Sequence, residues 1–301
     1  MLYATGAFLL WGVVPVYWKT LQHVPALEIL AHRIVWGFVF VAVWMTIRGR
    51  WPELRAVFRR PRTVAALLAS TVFIAINWGL FIYAVNTDRV LATSLGYYIN
   101  PLVNILLGLF VLHERLNRKQ WVAVALAALA VVLLTIQAGK LPWISLVLPV
   151  SFGLYSLLRK TVHADAVVGL TFETAALFPF AAALLLRQEL RGVGALGNQG
   201  PGIDLLLVAA GAVTAVPLIL FTLGVRRIRL STAGLLQYIA PTFTFLLAVL
   251  LYDEPFTTAH AISFGLIWTA LVIYSFDLRS KLRSEPDLDA VESPAVPLLE
   301  D

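Results

Sequence analysis

One stretch of this chain occurs twice, and that duplication constrains the fold more than any other feature. Leu95 to Leu116 reads LGYYINPLVNILLGLFVLHERL, and 140 residues later Leu235 to Phe256 reads LLQYIAPTFTFLLAVLLYDEPF. Without a gap, seven of 22 positions are identical, among them Tyr98/Tyr238, Pro101/Pro241 and Glu114/Glu254. Each copy is an apolar helix with one polar stripe, a central proline and a glutamate at its exit. A chain with this internal repeat is expected to be two copies of one unit.

The unit is built for lipid. Hydrophobic residues make up 60% of the chain and charged residues 13%, against about 45–50% and about 25% in soluble domains. Such a composition cannot cover a water-facing surface, so a polytopic membrane protein is expected. The net charge of +6 does not point to nucleic acid, because the basic residues sit in short loops between apolar runs. There is no cysteine, which excludes disulfides, thiolate metal sites and a thiol nucleophile. The first lysine, Lys19, follows the first apolar run, so residues 2–18 read as a membrane helix and not as a cleaved signal peptide.

A membrane-spanning helix takes about 20 mostly apolar residues. Ten runs qualify: 2–18, 29–47, 63–84, 90–112, 120–137, 142–158, 167–186, 204–223, 231–251 and 259–277. Loops after the even-numbered runs carry 17 Lys and Arg, and loops after the odd-numbered runs carry five. The positive-inside rule then puts both termini in the cytoplasm of a plasma-membrane (inner-membrane) protein. A five-helix unit has an odd number of crossings, so its second copy lies inverted. The expected fold is all-α, with ten transmembrane helices in two inverted repeats, residues 1–137 and 142–277, followed by a disordered cytoplasmic tail, 278–301. Inverted repeats are a transporter architecture, with a site at the midplane between the halves. Trp11-Gly12 with Lys19-Thr20 is echoed by Phe152-Gly153 with Lys160-Thr161. Glu28 pairs with Glu173 if a small insertion is allowed.

Tyr97, Asn100 and Asn104 share one helical face, matched in the second copy by Gln237 and Thr244, with Tyr238 adjoining. Pro101 and Pro241 kink their helices and free the carbonyls of Tyr97 and Gln237 on that same face. These groups line a substrate cavity or bond helices to one another. Asn77, Trp78 and Tyr155 complete the wall or serve as packing, as does Trp11. Glu28 and His32 stand one turn apart with Arg33 beside them, and Glu173 lies inside a later helix. Ionisable residues within the membrane mark pathways and proton relays, so these four are candidates for charge or proton coupling. The alternatives are a Glu28–His32 pair at the interface and a static Arg33–Glu173 strut. Gly6, Gly12, Gly96, Gly108, Gly153 and Gly211 are placed to let helices approach, and Glu114 and Glu254 to cap the helices that follow them.

No phosphate-binding GxxxxGK[ST] loop, HExxH pair or GxSxG elbow occurs, so no cofactor, metal or enzymatic chemistry is expected. The partners expected are a small-molecule substrate and the lipid bilayer, without nucleic acid.

The runs PALEILAHRIVW, NWGLFIYAVNTDRVLATSLGYYINPLVN, SFGLYSLLRK and GLLQYIAPTFTFLLAVLLYDEPF closely resemble the RarD-like proteins of the EamA group, within the drug/metabolite transporter superfamily. The likeness covers most of residues 1–277. It implies inverted five-helix repeats around a central cavity and transport, usually export, of small metabolites or drugs. One departure is His113 in HER, where related proteins carry GER, which alters a turn.

Overall fold

A computed structural model describes residues 1–86, 90–137, 139, 143–251 and 258–284, with side chains except at 82, 85–86, 90–95, 244–245, 248–251, 259–260 and 278–284. The described residues are helical and contain no strand. In chain order the helices are α1 (Leu2–Thr20), α2 (Ala26–Ile47), α3 (Trp51–Phe58), α4 (Pro61–Asn86), α5 (Val90–Phe110) and α6 (Arg118–Gln137). They continue with α7 (Ile144–Thr161), α8 (Ala166–Leu190), α9 (Pro201–Val225), α10 (Leu230–Gln237), α11 (Ile239–Leu251) and α12 (Thr258–Ser284). Among the described residues, five segments are long and apolar enough to cross a membrane: Ala26–Ile47, Pro61–Phe81, Arg118–Gln137, Ala166–Leu190 and Pro201–Val225. Large apolar side chains such as Phe110, Ile136, Phe180, Leu190 and Phe276 stand on the outside of the bundle, the arrangement lipid requires. This is a multi-pass membrane protein.

Three features differ from the sequence expectation. The short helix α3 lies in the basic segment between the second and third runs. Pro52 favours its first turn, Leu54 and Val57 are buried, and Glu53 and Arg55 face outward. The run 231–251 is broken in two at Tyr238, with the Tyr238 N–H turning back to the Leu235 carbonyl. Pro241 then sits in the first turn of α11, where a missing N–H costs little, while α5 continues through Pro101. The last helix runs on to Ser284, into the segment expected to be a tail; residues 285–301 lie outside the described residues.

The helix starts repeat with the sequence period. Ala26 and Ala166, Pro61 and Pro201, Val90 and Leu230, and Arg118 and Thr258 each open helices 140 residues apart. α1 packs on α9 and α11, α7 on α4 and α5, α2 on α8 and α9, α4 on α8, α5 on α10, and α6 on α12. The largest core joins Phe8, Met45, Leu67, Phe152, Tyr155 and Phe221 from helices of both halves. A second core sets Ala123, Ala127 and Ala130 of α6, one turn apart, against Ile267, Ala270 and Tyr274 of α12. Small residues in such a row let two helices meet closely, which matters in lipid because apolar burial alone does not drive helices together there.

Candidate functional site

Two charged centres occupy the interior, each built on the eighth residue of its helix: Arg33 of α2 and Glu173 of α8. The Arg33 Nε donates to Thr214 Oγ1 of α9 at 3.0 Å. Its guanidinium carbon lies 4.8 Å from the ring centre of Trp18 (α1) and 5.1 Å from that of Trp78 (α4). The phenols of Tyr97 (α5) and Tyr17 (α1) come close enough to interact with it electrostatically. Tyr17 donates to the Leu206 carbonyl, whereas Tyr97 is open, with 40% of its surface exposed and its ring against Phe81.

Glu173 has a different environment. Ser70 of α4 donates to its Oε1 at 2.5 Å, the Tyr155 hydroxyl stands 3.5 Å from its Oε2, and Arg159 Nη1 of α7 stands 3.6 Å from Oε1. Arg159 also donates from Nη2 to the Ala166 carbonyl and from Nε to Thr222 Oγ1 of α9. Both charges are sealed from solvent. A paired, hydrogen-bonded ion pair is the form in which burial of charge is tolerated.

The Arg33–Glu173 strut considered from sequence is therefore corrected, because Glu173 pairs with Arg159. Arg159 itself reads as a loop cation in RK at a helix exit, yet it lies in the last turn of α7 and points inward. Without Arg159 the loops after the even-numbered runs still carry 16 Lys and Arg (17 less one) against five. The proposed match of Glu28 with Glu173 is also corrected: with α2 and α8 in register, Arg33 holds the step that corresponds to Glu173.

Glu28 and His32 lie 3.9 Å apart as expected, but both are buried, so an interfacial pair reaching outward is excluded. Glu28 Oε1 accepts the Ala195 N–H at 2.5 Å, tying the α8–α9 connection to α2, and Trp36 Nε1 donates to His32 Nδ1.

The polar stripe divides between the two readings. Asn104 Nδ2 donates to Gln237 Oε1 at 2.7 Å, joining α5 to α10, and Asn77 donates to the Leu148 carbonyl and to Ser151 Oγ, joining α4 to α7. Asn100 and Tyr238 are buried, and their Oδ1 and hydroxyl have no hydrogen-bond partner among the described residues. Thr244 lies outside the residues whose side chains are described. Trp11 packs with Phe8, Phe152 and Phe221. Glu114 caps a helix, though not the next one: it accepts from the Leu230 and Ser231 N–H groups, at 2.6 and 3.0 Å, at the start of α10. Glu254 lies outside the described residues. Among the described residues, no group of three or more His, Cys, Asp or Glu gathers to hold a metal.

Sequence reading thus found Arg33, Trp78, Tyr97, Glu173 and Tyr155. It missed Trp18, Thr214, Ser70, Arg159 and Thr222, which join these centres from other helices. One signal was present: Trp18 and Arg159 each precede the echoed Lys-Thr pair, and each lies against the charged residue of its own half.

The model of the EamA-like transporter family matches residues 1–136 and 143–276. The chain is 45% identical over 277 residues to an uncharacterized transporter of Vibrio cholerae, covering 92% of each chain. It is 44% identical over 277 residues to Protein RarD of Escherichia coli, covering 92% of this chain and 94% of that one. It is 30% identical over 291 residues to the chloramphenicol-sensitive protein RarD of Pseudomonas aeruginosa, covering 95% of this chain and 96% of that one. A solved crystal structure superposes with a TM-score of 0.70 at 21% identity, covering 94% of this chain and 98% of that chain. That last likeness speaks for the fold alone.

Proposed function

The chain belongs to the EamA-like transporter family, and from that premise we propose that it is a secondary transporter moving small metabolites or drugs by alternating access, in the export direction. The observation that carries this reading is the pair of interior charges. Arg33 of α2 is held by Trp18 of α1 and by Thr214 of α9; Glu173 of α8 is held by Arg159 of α7 and by Ser70 of α4. Exchanging the two halves exchanges one set of helices for the other. The same exchange maps α1 on α9 to α7 on α4, and α2 on α9 to α8 on α4. These correspondences, with the repeated helix starts, support ten helices in two inverted repeats; the Lys/Arg asymmetry of the loops supports an inner-membrane protein with both termini cytoplasmic.

In that arrangement Arg33 lies in the outer half and Glu173 in the inner half. Arg33 is half-buried and Tyr97 exposed, whereas Glu173 and Arg159 are sealed, which suits an outward-facing conformer. The inward-facing conformer reverses this: water reaches Glu173 as Ser70 and Arg159 separate from it, and a proton is exchanged there. Two similar half-structures supply two conformers of comparable energy. Tyr97, Trp78 and Asn100 contact cargo.

A second reading, a non-transporting scaffold or accessory subunit, draws on the Asn104–Gln237 and Asn77–Ser151 bonds, which join helices as polar glue does. The cysteine-free chain separates the two. Single cysteines at Tyr97 and Ser70 are labelled with a membrane-impermeant maleimide from either side of sealed vesicles. Transport predicts that Tyr97→Cys reacts from outside and Ser70→Cys from inside, the two varying inversely with pH or cargo. If Ser70→Cys stays unreactive while Tyr97→Cys never varies, the scaffold reading replaces it.

A further inference from the structure

We propose that Arg33 is a carboxylate-binding site inside the helical bundle, so that the cargo is a small organic monoanion. The word cargo rests on the transporter reading above; the binding site rests on geometry.

The guanidinium carbon lies over the rings of Trp18 and Trp78, 4.8 and 5.1 Å from their centres, and Nε is occupied by Thr214. What remains is the edge carrying Nη1 and Nη2, the fork that takes both oxygens of a carboxylate side by side. Among the described residues Arg33 has no carboxylate partner, whereas Arg159 has one and Arg50 has two.

Trp18, Trp78, Tyr97 and Thr214 approach Arg33 from α1, α4, α5 and α9, so the half-buried cation is ringed by helices. A cation held there without a partner is costly, and that cost falls when an anion enters. The ligand class follows from charge as well as shape. One guanidinium neutralises one negative charge, so a monocarboxylate forms a neutral complex, whereas a phosphate leaves excess charge inside the membrane.

The test uses the unaltered chain in phosphatidylcholine nanodiscs, where no anionic lipid competes. p-Hydroxyphenylglyoxal modifies accessible arginines, and mass spectrometry follows each one, the loop arginines serving as reference. Acetate and benzoate are compared with acetamide and benzamide, which match them in shape without charge. The expected result is modification of Arg33, slowed by the acids at concentrations about tenfold lower than by the amides, because charge-assisted hydrogen bonds are roughly twice as strong as neutral ones. An unreactive Arg33, no protection by either series, or equal protection by both overturns the proposal. Protection by inorganic phosphate at lower concentration than by benzoate overturns the monocarboxylate assignment and favours a phosphate headgroup. The cysteine experiment is independent: selective protection without alternating labelling leaves a carboxylate-binding protein and removes transport, and the reverse result removes only the anion site.

Discussion

Arg159 is a positive charge sealed in the last turn of α7, and Glu173, 3.6 Å away, is its counter-charge. Removing one partner leaves the other buried and uncompensated, so Glu173→Gln or Arg159→Gln is expected to cost about 3–5 kcal/mol. Replacing both by leucine is expected to recover most of that. Thermal unfolding of the four proteins in detergent gives the coupling, and additive single losses would show the pair to be incidental. Arg33 behaves differently: its neighbours are aromatic rings and a hydroxyl, so Arg33→Gln loses cation–π contacts without stranding an anion, and is expected to cost less than Glu173→Gln. At the surface, His113 holds φ at 55°, in the left-handed region that favours glycine. His113→Gly removes that strain and is expected to stabilise the protein by about 1 kcal/mol, read as a raised Tm. The sequence marked this residue as a departure; the backbone angle supplies the reason for its cost.

Between elements, the contact of α2 with α9 sets the geometry at Arg33. A Cβ added at Gly211 would lie 2.3 Å from the carbonyl carbon of Trp36 and 2.4 Å from its oxygen, both backbone atoms that cannot move aside. Gly211→Ala is therefore expected to push the helices apart, cost about 1–3 kcal/mol, and weaken the Arg33–Thr214 bond carried across the same interface. A variant with unchanged Tm would mean that the helices separate without loss. Gly108 serves a related purpose, since a Cβ there would meet Glu114 Oε2 at 2.7 Å and displace the cap of α10. Gly6, also expected at a close approach, meets only Leu220 at 3.8 Å, an ordinary contact. Length and apolarity made most helices legible. The break at Tyr238 and the helix α3 were not, because a helix interruption and a short amphipathic turn are decided by what packs against them.

Across the whole molecule, the starts of α3 and α8 are tied by Arg50, which bonds Glu53 at 2.5 Å and reaches Asp165 at 3.2 Å. Hydrogen bonding to Arg50 holds the Glu53 carboxyl below the usual range. Burial alone would push Asp165 up, but the Val167 N–H and Arg50 hold it down. Depressed carboxylates contribute stability that is present above their unfolded values and lost as pH falls through the folded ones. The expected window lies below about pH 4, and the effect is small because both groups meet water. Arg50→Gln is expected to flatten the fall in Tm between about pH 5 and about pH 3 relative to the unaltered chain; parallel curves would show the tie to be inert.

The sequence by itself determined the all-helical membrane class, the membership of its family and the 140-residue period. These follow from apolar run length, composition and direct comparison of one copy with the other, none of which needs a partner in space. It also marked Arg33 and Glu173, since a charge within an apolar run stands out without reference to its surroundings. Only the tertiary structure decided what each charge meets: a pair of tryptophans for Arg33, and Arg159 with Ser70 for Glu173. Those partners come from helices distant in the chain, and whether a polar side chain faces lipid, a cavity or another helix depends on packing. Pattern along a single helix carries no record of that.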